Sequence, residues 1–380
     1  MTTLFDYLSW RGDLPLSADP FHEVDGVILA RFTYMPFHRV LQRDSLTPTT
    51  VEAVCRALLA LPDIETAVRR RGDTDLLRAL IESPRYKGME LTAYADRLDA
   101  ESQTQFSAIT VKLEEDHYCV AYRGTDNTLI GWKEDFNMGF VCPVPGQKLA
   151  VDYLQKAARR LPGRLTVCGH SKGGNLAVFA AVSCSNSLKK RIRGVYEYDA
   201  PGFPEPMVHR YDYLEMRDRL FSYVPERSVI GCLLEHNADT KIVQSENEGL
   251  KQHQAASWVV EDDRFCYVPS RDEASLFIEK YIKMVMDDVG PDNMETVFET
   301  LFTFFESAGI TDYEALRSFD AGDMLRTLYS VTDITEDQRH LLEHTLKLAV
   351  SDLSRLLYKE KIESYIKRLD AVIAPEEASR

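Results

Sequence analysis

Residues 165–181 read LTVCGHSKGGNLAVFAA, and no other stretch restricts so sharply what the chain can fold into. A short apolar run ends in Gly-His-Ser-Lys-Gly-Gly and gives way to small residues suited to a helix. Gly169 and Gly173 on either side of Ser171 predict a turn too tight for ordinary side chains, with a hydroxyl at its tip. A strand feeding such a turn and a helix leaving it make a nucleophile elbow. There a strained serine is exposed, and the helix N-terminus favours negative charge beside it. Asn175, Leu176, Ala177, Ala180 and Ala181 suit a helix lying close on a sheet.

The flanking sequence supplies the rest of such a sheet. From Gln105, FSAITVKLEEDHYCVAYRG predicts two strands joined by the acidic turn Glu114 to Asp116. A helical GQKLAVDYLQKAARRLPG follows, then the strand RLTVCG, the helix from Lys172, and the strands in IRGVYEYDAPG and RLFSYVP. Strands alternating with helices predict a mostly parallel central sheet flanked by helices, and the serine elbow at the end of one of its strands makes the expected architecture an α/β-hydrolase fold. Upstream, Val27 to Thr33 is expected as a strand. Thr49 to Arg71 is expected as a helix closing on Arg69, Arg70 and Arg71, whose charges suit a helix C-terminus. Beyond about Ser270 the pattern is amphipathic at helical period, with Gly290 and Gly309 as stops. The expected division is a hydrolase domain over residues 1–270 and a helical C-terminal extension over 271–380, serving as cap, lid or interaction helices. In the last helix Leu342, Leu346, Ala349, Leu353, Leu356 and Leu357 form an apolar stripe expected to pack on the chain's own helices, with a homo-oligomer contact as the other use.

A net charge of −15 disfavours nucleic acid and anionic membranes as partners. The seven cysteines lack metal-ligand spacing and read as reduced core thiols. The opening MTTLFDYLSWRGDLPL has no basic region leading into an apolar one, and no run has the length of a membrane span, so the expected location is the cytoplasm.

A serine hydrolase needs donors for the developing oxyanion. The backbone N–H of Lys172 supplies one by the geometry of the elbow. AYRGTDN, at the end of an earlier strand, offers the second: Gly124 permits close backbone approach, and Thr125 brings both an N–H and a hydroxyl. AYRGTDNTLIGWKED together with VCGHSKGG resembles the class 3 lipase family, whose oxyanion loop reads Phe-Arg-Gly-Ser/Thr followed by a tryptophan and an aspartate. The resemblance implies that Thr125 completes the oxyanion hole, that Asp135 holds its hydroxyl, and that Trp132 matches the tryptophan with one extra residue between. DYLSWRGD, PRYKG, QFSAIT and KQHQAASWVV more closely resemble a bacterial branch of lipase-like hydrolases without an assigned function. The likeness spans about the first 270 residues.

The order serine, acid, histidine leaves five histidines after Ser171. His340 and His344 lie on one face of a tail helix, and His209 comes too soon. His253, before SWVV, is the candidate base and His236 the alternative. His170, inside the elbow, is expected as a packed or hydrogen-bonded neighbour. The resemblance implies an acid after RLFSYV in an Asp-x-Val-Pro context, but this chain reads VPERSVIGCLL there, with Ser228 near the acid's place and Glu226 the nearby carboxylate. Asp199, one strand earlier, is the first candidate and Glu226 the alternative. Lys172 stands where the lipases usually have leucine. Its ammonium either pairs with solvent or an acidic neighbour, or meets an anionic substrate group.

These residues predict acyl transfer to water through Ser171, His253 and Asp199, needing no metal or organic cofactor. The resemblance implies an acyl ester or lipid-like substrate, with NTLIGWKEDFNMGFVCPVPG or the tail as a lid. The competing reading is a hydrolase scaffold whose triad has decayed, binding lipid or partner through its helical tail.

Overall fold

The computed structural model describes residues 2–70, 72–307, 309–310, 334–345, 347–348 and 351–352. Its centre is a nine-stranded sheet ordered β1-β2-β3-β4-β5-β6-β7-β8-β11. The strands are β1 (Thr49–Thr50), β2 (Glu90–Asp99), β3 (Thr104–Glu114), β4 (His117–Tyr122), β5 (Arg164–His170), β6 (Ile192–Tyr198), β7 (Leu220–Pro225), β8 (Asp239–Val243) and β11 (Tyr267–Val268). A separate pair, β9 (Val260–Glu261) and β10 (Arg264–Phe265), is antiparallel. The expected sheet was mostly parallel. In the structure β4 to β8 run parallel, while β1 to β4 and β11 attach antiparallel at the two edges.

Helices cover both faces: α1 (Leu4–Trp10), α2 (Glu23–Phe32), α3 (Val51–Leu59), α4 (Ile64–Ala67), α5 (Asp73–Glu82), α6 (Leu129–Asn137), α7 (Pro145–Arg160), α8 (Lys172–Ser183), α9 (Asn186–Lys189), α10 (Glu205–Val208) and α11 (Tyr211–Met216). Alternate residues of the central strands serve two separate cores. Cys119 and Ala121 of β4 join the N-terminal helices, whereas Tyr118, Val120 and Tyr122 join α7 and α8. A strand buried on both faces reads as a continuous apolar run, which is why LTVCG lacks alternation.

That rule also explains one correction. Val27 to Thr33 is not a strand: Val27 to Phe32 lie in α2, every residue of which is buried, and Thr33 is its C-cap. A helix covered on all sides shows no amphipathic period, so its apolar run imitates a buried strand. The helix signal was in the cap, where His22 Nδ1 accepts from Val24 N at 3.3 Å and Asp25 accepts from His22 N at 3.0 Å. The helix expected from Thr49 to Arg71 is likewise divided. Thr50 caps α3, Pro62 follows its end, and α4 stops at Ala67, so Arg69 and Arg70 lie beyond any helix.

The chain divides into two compact units, Met1–Ser275 and Leu276–Arg380. Helix α12 (Glu273–Val289) crosses the division, and α13 (Pro291–Ser307) belongs to the second unit. There Phe302 and Phe304 are buried and pack on Phe305, with ring centroids 5.9 and 5.8 Å away. The phenylalanines around residue 304 thus form helix core. A further helical run covers residues 336–345, where Leu342 is buried. The rest of the expected stripe, Leu346, Ala349, Leu353, Leu356 and Leu357, lies outside the described residues. No helix among the described residues is long and apolar enough to cross a membrane.

Candidate active site

The sheet register gathers the candidate residues at one edge. Tyr122 of β4 pairs with Gly169 of β5, and His170 pairs with Tyr198 of β6. The loops after β4, β5, β6 and β7 therefore leave side by side from the carboxyl ends of the strands, where α/β sheets build their sites.

Ser171 stands between β5 and α8 with φ 60° and ψ −135°. A non-glycine residue in that region costs about 1–3 kcal/mol and persists only when its surroundings enforce it. Here Ser171 N donates to Tyr198 O at 2.9 Å, and Gly174 N donates to Ser171 O at 2.9 Å. The glycines make the turn fit. A Cβ at Gly169 would collide with the Gly173 carbonyl, and one at Gly173 would come within 2.9 Å of Gly124 N. Ser171 Oγ has no hydrogen-bond partner among the described residues and is half-buried.

The loop after β4 lies directly on the elbow. A side chain at Gly124 would meet the Tyr34 hydroxyl, approach His170 O to 2.6 Å and reach Ser171 Cβ at 3.2 Å. The Thr125 hydroxyl donates to Asp135 Oδ2. Burial pushes the Asp135 carboxyl up to about 6, against the pull of the Lys172 ammonium and the Thr125 hydroxyl. The N–H groups of Lys172, at the start of α8, and of Thr125 have no acceptor within the described protein. Trp132 is half-buried on α6.

The Lys172 side chain turns away from this edge. It is buried, with Nζ 3.0 Å from Glu134 Oε2, 3.1 Å from Gln105 O and 3.6 Å from Asp135 Oδ1. The proposed contact with an anionic substrate group is therefore replaced by an internal ion pair. Glu134 also accepts from Gly146 N at 2.7 Å and Gln105 N at 3.0 Å. These bonds tie α6 to the elbow, to β3 and to the start of α7, so the lid expected over residues 127–146 has its helix fixed in the wall behind the loop that follows β4.

Across the site, the carboxylate of Asp199 is satisfied on every side. Its Oδ2 accepts from His253 Nδ1 at 2.6 Å, and its Oδ1 accepts from Gly231 N at 3.0 Å and from Ser228 Oγ. Asp199 has φ 44° and its N donates to Tyr223 O at 2.8 Å, which aims the side chain along the edge. Ser228, near the place where the resemblance puts the acid, thus orients a carboxylate supplied by the preceding strand. Asp199 is 1% exposed and the His253 side chain 24%. Since Nδ1 binds the carboxylate, the His253 Nε2 lone pair is left for a proton. No hydrogen bond joins Nε2 to Ser171 Oγ in the structure. Such contacts often close only around substrate.

His253 is held from below by the elbow itself. His170 Nε2 donates to the His253 carbonyl at 2.7 Å, and the two rings lie 4.6 Å apart. This fixes the proton of His170 on Nε2 and leaves Nδ1 to accept from the Tyr34 hydroxyl at 3.3 Å. Burial, with His253 beside it, holds the His170 imidazole well below the ordinary histidine range. Gln252 and the fully buried Trp258 anchor the same loop: Trp258 Nε1 donates to Gln252 O at 2.8 Å, and Arg227 N donates to Gln252 Oε1 at 2.8 Å.

The alternatives go elsewhere. Glu226 receives the Gln252 amide at 3.5 Å and does not meet His253. His236 sits 3.6 Å from Glu197. A cavity of about 610 Å³ at Arg217, Ser222 and Lys241 includes Leu220 and Asp239, the starts of β7 and β8, at the opposite edge of the sheet. No group of three or more His, Cys, Asp or Glu side chains among the described residues is arranged to hold a metal. The sequence reading missed Tyr34 and Glu134. The acidic WKED motif offered a signal for Glu134, whereas nothing local marked Tyr34.

The Mbeg1-like family profile matches residues 80–303, more than half of the chain. The chain belongs to the Mbeg1-like family. No curated protein matches it. Among solved structures, this Mbeg1-like chain is similar to lipase II from Rhizopus niveus, at 12% identity over 64% of this chain and 84% of that one, with a TM-score of 0.37. A mutant of MDLA from Penicillium cyclopium aligns at 13% identity over 64% and 83%, with a TM-score of 0.36. The native propeptide complex of Rhizomucor miehei lipase aligns at 13% over 72% and 88%, with a TM-score of 0.34. The mixed sheet covered by helices on both faces, with Ser171 at the turn from β5 into α8, is an α/β-hydrolase fold, and helices α12 and α13 follow it in the chain.

Proposed function

We propose that the protein is a serine hydrolase that cleaves acyl esters. Ser171 is the nucleophile, His253 the base, Asp199 the acid, and the N–H groups of Lys172 and Thr125 form the oxyanion hole. The observation that carries this reading is the 2.6 Å bond from His253 Nδ1 to Asp199, on a histidine whose backbone is bound by the residue preceding Ser171. It supports Nε2 as the basic atom of the proposed proton transfer.

In the proposed reaction His253 Nε2 takes the proton of Ser171 Oγ as that oxygen attacks the ester carbonyl. The C–O bond to the leaving group breaks when the oxyanion collapses, and His253 passes the proton to the departing alcohol. Water then attacks the acyl-serine by the same route and releases the acid. Asp199 keeps the imidazole in the tautomer that presents Nε2 and stabilises the imidazolium. The loop motifs that resemble class 3 lipases support a lipid-like or other acyl ester as substrate.

A fluorophosphonate should add one equivalent to Ser171 in the full chain, seen by intact mass and peptide mapping. Ser171→Ala should abolish both the adduct and the hydrolysis of p-nitrophenyl esters. A folded protein that neither labels nor turns over would leave the scaffold as a binding module and sink the hydrolase reading.

A further inference from the structure

Three consecutive arginines, Arg69 to Arg71, follow α4. Val68 ends that helix in an extended conformation, ψ 153°, and sends the chain back toward the sheet. The guanidinium groups of Arg69 and Arg70 lie over the Tyr34 ring, 5.8 and 5.2 Å from its centroid. The Tyr34 hydroxyl is 3.3 Å from both Nδ1 and O of His170. The two cations are thus one aromatic ring away from the elbow.

Their partners differ. Arg69 donates to Thr125 O at 3.1 Å and faces Asp126 at 3.8 Å. Nearby Arg31 has Asp73 at 2.9 Å, and Arg123 has Asp96 at 3.3 Å and Asp126 at 3.6 Å. Arg70 is half-buried, yet among the described residues its guanidinium has no carboxylate and no hydrogen bond. Its charge reaches the site, since it helps to hold His170 in the neutral form. A partly desolvated guanidinium without a counter-ion is costly. The carboxylate beside it, Asp73, accepts from the Arg70 backbone N at 3.0 Å and is paired with Arg31, so it leaves the Arg70 guanidinium without an ion pair among the described residues.

We infer that Arg70 recognises an anionic group of the substrate, a carboxylate or a phosphate, so that the ester handled at Ser171 carries one. The inference rests on the serine-hydrolase reading and names its substrate class. The planar fork of a guanidinium matches either anion in bidentate fashion. Lys172, the residue that sequence position favoured for this role, is consumed by Glu134, and Arg70 holds the free charge instead.

Two matched substrate pairs test this on the full chain. In the first the acyl group is neutral or anionic: p-nitrophenyl pentanoate against mono-p-nitrophenyl glutarate. In the second the alcohol is neutral or anionic: a monoacylglycerol against the acylglycerol phosphate with the same chain. The readout is the anionic-to-neutral ratio of kcat/KM. Arg70→Ala should lower that ratio by about tenfold to a hundredfold in one pair, the range expected for a charge-assisted contact. Arg70→Lys should restore part of it, and Arg78→Ala, an exposed arginine on α5, should keep the wild-type ratio. Loss in the first pair places the anion on the acyl group, and loss in the second identifies a phosphate head group. If Ser171 labels and esters turn over but Arg70→Ala leaves both ratios unchanged, the Arg70 inference falls and the hydrolase reading stands. If Ser171 neither labels nor turns over any ester, both fall together.

Discussion

Two histidine–carboxylate pairs flank the C-terminal half of β6, and they are built differently. Asp199 meets His253 at 2.6 Å, with its other oxygen accepting from Ser228 and Gly231 N. Glu197, two residues earlier, stands 3.6 Å from His236, and its Oε2 and the Nε2 of His236 are buried without a hydrogen bond. In the first pair the carboxylate is fully occupied and the imidazole half open. In the second the carboxylate is buried, the imidazole is 15% exposed with its Nε2 end buried, and each group keeps one atom without a hydrogen bond. A catalytic pair must hold its acid rigid while leaving the base reachable, and only His253 satisfies both conditions. Chemical type alone does not separate the two pairs: the partners around each carboxylate do.

The largest expected effect tests that contrast directly. Asp199→Asn should lower ester turnover by about ten-thousand-fold while the protein still folds, because the amide stabilises the wrong tautomer of His253. Glu197→Gln, measured per folded molecule, should stay within about twofold of wild type, since substitutions outside the reacting groups leave transition-state contacts intact. Comparable losses in both variants would erase the distinction between the pairs.

A third carboxylate sharpens it. Asp135 accepts from the Thr125 hydroxyl in the loop after β4, and burial pushes its carboxyl up to about 6 from an ordinary 3.8. A carboxyl whose folded value is raised contributes stability that is fully present below the ordinary value and is lost as pH rises through about 6. Asp135→Asn should therefore match or exceed wild type in thermal stability at about pH 8, with the gain vanishing toward about pH 4. Without the ionised partner that orients Thr125, turnover should fall on the order of 100-fold. A variant that gains stability but keeps full turnover would remove Asp135 from the oxyanion wall.

What the sequence disclosed follows the same line between local and distant constraints. The elbow, the hairpin before it and the strands β5 to β7 were legible because glycine spacing and apolar runs are local signals. Helix α2 was misread because burial on every side removes the period that distinguishes helix from strand. Asp199 could be nominated from its place after an apolar run, yet Ser228 as its partner required the fold, since 29 residues separate them. Tyr34 reaches the elbow from the N-terminal region with Arg70 over its ring, and His170 binds a carbonyl 83 residues away. No composition or periodicity encodes such meetings. They are fixed by which helices cover which face of the sheet.

The smallest expected effect concerns the enclosed pair. Burial works against protonation of His236, but the Glu197 carboxylate outweighs it, so the imidazole holds its proton to higher pH than an ordinary histidine. A raised folded value means that the stability from this proton is present below the ordinary histidine range and disappears as pH climbs through the raised one. His236→Gln should accordingly lower the melting temperature at about pH 6 by on the order of 2 °C, with a smaller loss at about pH 9. A melting-temperature deficit independent of pH would mean that folding leaves the His236 proton unshifted. The His236 pair would then be a packing contact rather than an ion pair, and access alone would separate it from the pair at His253.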